Sequence, residues 1–187
     1  MIRMMDELIK RQIEFQKQLN NDLPKDNFVS FENVQNSLAH NVYQTIEFQE
    51  FLEANKNDRK EELIDYLLFL VNKYIYLGVT EDTLNDISMF GLLYSSKSDS
   101  SICVCSALAQ VEQNNYISLV RHYTIFKPWK VRTSENCVDT PKVLESFLSA
   151  LDDFKQMSNI VFDSYSDFIL TLDKKLNLNI QRQQNNY

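Results

Sequence analysis

Apolar residues along this chain recur at three- and four-residue steps, the spacing by which a helix buries one face. Met5, Leu8, Ile9, Phe15 and Leu19, with Gln12 among them, make the first stripe, and the turn Asn20-Asn21-Asp22-Leu23-Pro24 stops it. The same reading predicts helices over about 4–20, 31–55, 58–77, 80–94, 101–126, 142–157 and 160–184. Ser30 is placed to cap the second helix, with Asn33 beyond it in place of the Glu or Gln of a full capping box. Asp58 is placed to cap the third, with Glu61 as its capping-box partner. Leu63, Tyr66, Leu67, Leu70 and Tyr74 form that helix's stripe, and Gly78 closes it. The polar stretches 94–101 and 127–141 read as loops.

Composition narrows the fold class. Only 2 Gly and 3 Pro in 187 residues leave too few turn-formers for a sandwich, a barrel or a Gly-rich dinucleotide fold, so an all-α helical bundle is expected. A hydrophobic content of 44% is enough for a real core, and the length suits one domain over residues 1–187. The stretch at about 94–140 reads as an extra segment of that domain rather than a linker between two. No internal repeat is visible, and the one biased tract is the Gln/Asn-rich tail.

Charge excludes some functions. With 26 acidic against 19 basic side chains, net −7, the chain lacks the basic balance that neutralises a nucleic-acid backbone, so direct nucleic-acid binding is not expected. Acidic clusters suit cations better. Cys103, Cys105 and Cys137 are odd in number and fit a reducing compartment; a lone Cys-x-Cys is a weak zinc signal. The opening MIRMMDELIKRQIEF breaks its apolar run with charge, so no secretory signal is expected. The greasiest stretch, 63–79, contains Asp65, Asn72 and Lys73 and is too short and polar to span a bilayer. A cytosolic protein is the expectation.

The candidate chemistry is carboxylate chemistry. Glu47 and Glu50 stand three residues apart on one helix, Glu62 and Asp65 three apart on the next, so two acidic pairs on adjacent helices can face each other. Asp65 lies against the apolar run Tyr66-Leu67-Leu68-Phe69-Leu70-Val71, where a charge is costly unless a metal or partner compensates it. Four convergent carboxylates would make an oxygen-rich Mg²⁺ site; otherwise they are solvated helix faces. Near the C-terminus Lys175, Asn179 and Arg182 form one helical stripe of two cations and an amide, suited to a polyphosphate. Gln16 and Asn20, one turn apart, offer amides that could read a base edge or a sugar hydroxyl. His40 and His122 are isolated and read as core or surface histidines. No P-loop, nucleophile elbow or H-E-x-x-H occurs.

These segments resemble a family, the dimeric all-α dUTP pyrophosphatases, within the superfamily that also holds the MazG-like nucleotide pyrophosphatases. Its E-x-x-E and E-x-x-D pairs match Glu47/Glu50 and Glu62/Asp65, and its L-N-x-x-R-Q-x-N-G-Y ending is similar to the run from Leu178 to Tyr187, with Asn186 in place of Gly. Its L-Q-x-x-L-N is similar to the run from Phe15 to Asn20, and its F-K-x-W-K resembles the run from Phe126 to Lys130, which here follows both acidic pairs. The resemblance implies a homodimer that uses Mg²⁺ to hydrolyse dUTP, and dUDP as well, to dUMP. It implies Glu47, Glu50, Glu62 and Asp65 as metal ligands, with Glu47 or Glu50 serving the attacking water. Gln16, Asn20, Lys175, Asn179, Arg182 and Tyr187 would hold the substrate. The alternatives are a MazG-like enzyme acting on other nucleotides, or a catalytically silent helical interaction protein.

Overall fold

The computed structural model describes residues 2–19, 23–24, 29–56, 58–80, 102–121 and 140–185. The helix predicted at 80–94 therefore lies outside the described residues, as do Asn20, His122, Trp129, Cys137 and Tyr187. Six helices and no strand are present among the described residues: α1 (Ile2–Gln18), α2 (Phe31–Glu53), α3 (Arg59–Ile75), α4 (Ile102–Arg121), α5 (Thr140–Val161) and α6 (Tyr165–Gln184). The all-α class is as expected. No helix among the described residues is long and apolar enough to cross a membrane.

α3 is the central element. Leu63, Ile64, Tyr66, Leu67, Leu70, Val71 and Tyr74 leave no surface to solvent, and α1, α2, α5 and α6 all pack on this helix. A helix apolar around most of its circumference must be surrounded, which is why the run that reads as greasy in sequence becomes the axis of the bundle. α4 packs along α5. α6 covers α3 with Phe168, Leu172 and Leu176, so the C-terminal helix belongs to the core.

Three helix ends differ from the sequence reading. Ser30 and Asn33 do form a reciprocal capping box, because the Asn33 amide oxygen accepts the Ser30 N–H as a Glu would. Asp58 makes no side-chain cap on α3; its carboxylate accepts from Asn55, and the Glu61 N–H bonds the Asp58 backbone oxygen instead. Glu61 is drawn away from any capping box by Lys174 and Lys175. The helix predicted over 160–184 begins at Tyr165, since α5 runs on to Val161 and Ser164 Oγ takes the Asp167 N–H to start a new helix. Gly78 behaves as expected: at φ +97° it closes α3 with the bonds Val79 N–H to Tyr74 O and Gly78 N–H to Ile75 O.

A charged pair is sealed where α2, α3 and α4 meet. Lys73 and Glu112 have side chains of 0% exposure, with Nζ 2.5 Å from Oε1. Asn41 accepts from the same ammonium at 3.0 Å, Gln44 donates to Glu112 at 3.1 Å, and the Lys73 ammonium sits 4.2 Å from the Tyr116 ring centroid. Burial pulls the Lys73 pKa below its ordinary value, the Glu112 carboxylate pulling the other way. Breaking such a pair by removing one partner costs about 3–5 kcal/mol, so α4 is locked to the central helix.

Asp153 adds a second buried carboxylate near this pair. Its Oδ2 has no hydrogen-bond partner among the described residues, and burial together with the Glu112 and Asp152 charges pushes its pKa up to about 6. A folded pKa above the unfolded 3.8 means that the folded state holds the proton longer, so this group's contribution to stability falls as pH rises from about 4 to about 6 and stays low above that. Asp153→Asn is therefore expected to raise the melting temperature at pH 7.5 and to make little difference at pH 4. A thermal scan of both proteins at the two pH values checks it; an equal difference at both would remove the ionisation argument.

Candidate metal and ligand site

α2 and α3 are joined by a short connection and lie against one another, which brings the two acidic pairs face to face. One carboxylate oxygen each of Glu47, Glu62 and Asp65 lie within 4.8 Å of one another. Glu50, one turn beyond Glu47, is exposed and stands outside this group, although its charge acts on Glu47 and Glu62. Burial, then repulsion from Asp65, Glu50 and Glu62, pushes the Glu47 pKa up to about 7, against the pull of Lys175. Burial also raises Glu62, and it raises Asp65 despite the hydrogen bond from Lys175. Three crowded carboxylates that all resist ionisation are short of positive charge, which is the electrostatic condition for binding a hard cation through oxygen.

α6 supplies the charge now present. Lys175 Nζ lies 2.5 Å from Asp65 Oδ2 and 3.7 Å from Glu61 Oε2, and Lys174 Nζ lies 2.5 Å from Glu61 Oε1. The Lys174 hydrogen bond holds Glu61 below the ordinary carboxylate range, so its pKa is shifted opposite to those of the triad although Glu61 adjoins Glu62 in the chain.

Beside the triad lies a cavity of about 420 Å³, within the range of small-molecule sites. Its walls come from four helices: Gln12, Phe15 and Gln16 of α1, His40 and Glu47 of α2, Asp65, Leu68, Phe69 and Asn72 of α3, and Asn179 and Arg182 of α6. Five of the sequence-derived candidates, Gln16, Glu47, Asp65, Asn179 and Arg182, thus line one space. Glu62 and Lys175 join it through Asp65, whereas Asn20 and Tyr187 lie outside the described residues. Gln16 is fixed by Tyr76, whose Oη donates to its Oε1 at 2.8 Å.

Among the wall residues that the sequence reading gave no site role are His40 and Asn72. His40 is a lining residue, packed 5.0 Å from the Tyr76 ring and 5.8 Å from Phe69, and burial holds its pKa down. Asn72 lines the cavity two turns beyond Asp65. The signal was present: His40 precedes Glu47, and Asn72 follows Asp65, by the two-turn interval that keeps residues on one helix face.

Comparison of the chain with protein-family models, with curated proteins and with solved structures gives no match.

Proposed function

We propose that this chain is a Mg²⁺-dependent nucleotide pyrophosphatase of the all-α type, hydrolysing dUTP, and dUDP as well, to dUMP as a cytosolic homodimer. The observation that carries the reading is one cavity bordered by the crowded Glu47, Glu62 and Asp65 carboxylates and walled by Gln16, Asn179 and Arg182. These residues come from segments far apart in sequence, each of which resembles a motif of that family.

The donor set fits the ion: three carboxylates, raised in pKa by burial and crowding, match the all-oxygen preference of Mg²⁺, with Glu50 close enough to add charge. Bound there, Mg²⁺ would neutralise phosphate charge and acidify a water. The rest is done by the chain itself. Glu47, a member of the triad and on the wall of the cavity, accepts the proton of the attacking water. Arg182 and Lys175 bind the polyphosphate, Lys175 exchanging its carboxylate partners for phosphate oxygens. The amides of Gln16 and Asn179 hold the nucleoside, and Phe15, Leu68 and Phe69 keep water from its flat face. Val42, Tyr43 and Ile46 lie exposed within two turns of α2 and support a self-associating surface.

Pyrophosphate release from each of the four common deoxynucleoside triphosphates and from dUTP, with and without Mg²⁺, tests the reading. Strongest turnover of dUTP, abolished by chelation, is expected. Comparable turnover of several nucleotides would move the chain to the MazG-like group. No turnover and no nucleotide binding would leave the helical interaction protein.

A further inference from the structure

We propose that Asn72 is a specificity-determining residue of the cavity: its Oδ1 accepts a hydrogen bond from a ring N–H of the bound nucleobase. The inference rests on the nucleotide reading above and adds to it a residue that none of the sequence motifs contains.

Asn72 is 5% exposed, and its Oδ1 is buried without a hydrogen-bond partner among the described residues. A carbonyl oxygen left unpaired in the interior carries a desolvation penalty that an aliphatic side chain would avoid, and α3 uses aliphatic side chains freely at Leu68, Leu70 and Val71. A polar group retained at such a place is explained if a ligand completes it. Asn72 lines the cavity, so the missing donor can come from what the cavity holds.

Position indicates which part of the ligand. Asp65 and Asn72 are seven residues apart on one helix, about 10 Å along its axis at about 1.5 Å per residue, so a ligand whose phosphates meet Asp65 and its cation brings its far end to Asn72. Aromatic groups stand at that end. Phe69 lies one turn before Asn72, and His40 packs against both Phe69 and Tyr76, which follows Asn72 by one turn. Such surroundings accept a flat heterocycle. His40 Nδ1 lies 2.8 Å from the Asn36 carbonyl, so Nδ1 carries the hydrogen and the ring is oriented by its own helix. A base with a ring N–H, as in uracil, supplies the donor that Oδ1 lacks; cytosine presents a bare ring nitrogen at the same position and opposes carbonyl oxygen to lone pair.

The test compares dUTP with dCTP, which are matched in size, for wild type, Asn72→Leu and Asn72→Asp of the full chain, reading KM, kcat and melting temperature. Wild type should favour dUTP in kcat/KM by on the order of 10- to 100-fold, mostly through KM. Asn72→Leu should bring the ratio close to one without losing thermal stability, while Asn72→Asp, which keeps an acceptor, should retain the preference. Should wild type treat dUTP and dCTP alike, or should Asn72→Leu keep the wild-type ratio, the role of Asn72 is overturned and the pyrophosphatase reading stands. Absence of pyrophosphate release from every nucleotide by wild type would overturn both. If Asn72→Leu fails to fold, Asn72→Ala, which also removes the acceptor, takes its place, with the same loss of the ratio expected and its retention overturning the role of Asn72.

Discussion

Asp65→Asn is expected to lower Mg²⁺-dependent pyrophosphate release by about a thousandfold, roughly 4 kcal/mol of transition-state stabilisation, with the helical signal unchanged. The carboxylate is flanked by Ile64 and Tyr66, which are wholly buried, and it is the one member of the triad bonded to Lys175. On the proposed function the change removes a metal ligand and leaves the side-chain shape intact. It also removes repulsion on Glu47, so the loss of the Lys175 ion pair is offset and the melting temperature should move little. Glu47→Gln should lose a comparable amount, because it removes both a ligand and the base. Glu50→Gln should lose less, since that side chain is exposed and outside the triad. Steady-state kinetics over a Mg²⁺ titration check the order; full activity of Asp65→Asn at saturating Mg²⁺ would sink the metal centre.

The second large effect is expected at the other side of the cavity. Arg182→Glu should cost about 2–5 kcal/mol in kcat/KM, because it exchanges a charge-assisted phosphate contact for repulsion. Arg182 is exposed, so the melting temperature should hardly change. Lys175→Ala should behave differently on both counts. It should cost less in kcat/KM, yet lower the melting temperature, since Asp65 loses the cation that compensates it in the absence of metal. Kinetics at subsaturating dUTP, paired with thermal scans, separate the two variants. Wild-type kcat/KM in Arg182→Glu would show that the α6 stripe has no part in substrate binding.

The positions of these residues along their helices were legible in sequence, as was the meeting of the acidic pairs on adjacent helices; the place where α6 meets them was not legible from spacing. Periodicity encodes which face of a helix is buried, so α2 and α3 begin and end within a few residues of where the apolar stripes put them, and the described parts of α1 and α4 coincide with theirs. The α5–α6 boundary was missed because Ile160, Val161 and Phe162 carry the stripe across the break, and the Ser164 cap that starts α6 is a short polar signal beside a strong apolar one. Asp58 failed as a cap for the opposite reason. Its pattern with Glu61 was good, but the lysines of a helix distant in sequence hold Glu61.

The same limit governs the site. Glu47, Glu62 and Asp65 could be paired in advance because their helices are joined by a short turn, so their separation is a local matter. Arg182 and Asn179 could be placed on one stripe but not opposite anything. Lys73 and Glu112, the most completely buried charges among the described residues, gave no sign at all, because each is an ordinary charged residue until the other arrives from a different helix.

That buried pair also bears on how the protein could be shortened. A trimmed version lacking 94–140 keeps both acidic pairs, the first helix and the tail, and on a map of motifs it looks like a compact ancestor of the full chain. Yet the cut takes away Glu112 and Tyr116 together with the helix that covers Lys73, the residue next to Asn72, and leaves its ammonium the Asn41 oxygen. The stretch is thus a keystone rather than an ornament, since without it the face of the central helix that holds Lys73 loses its cover.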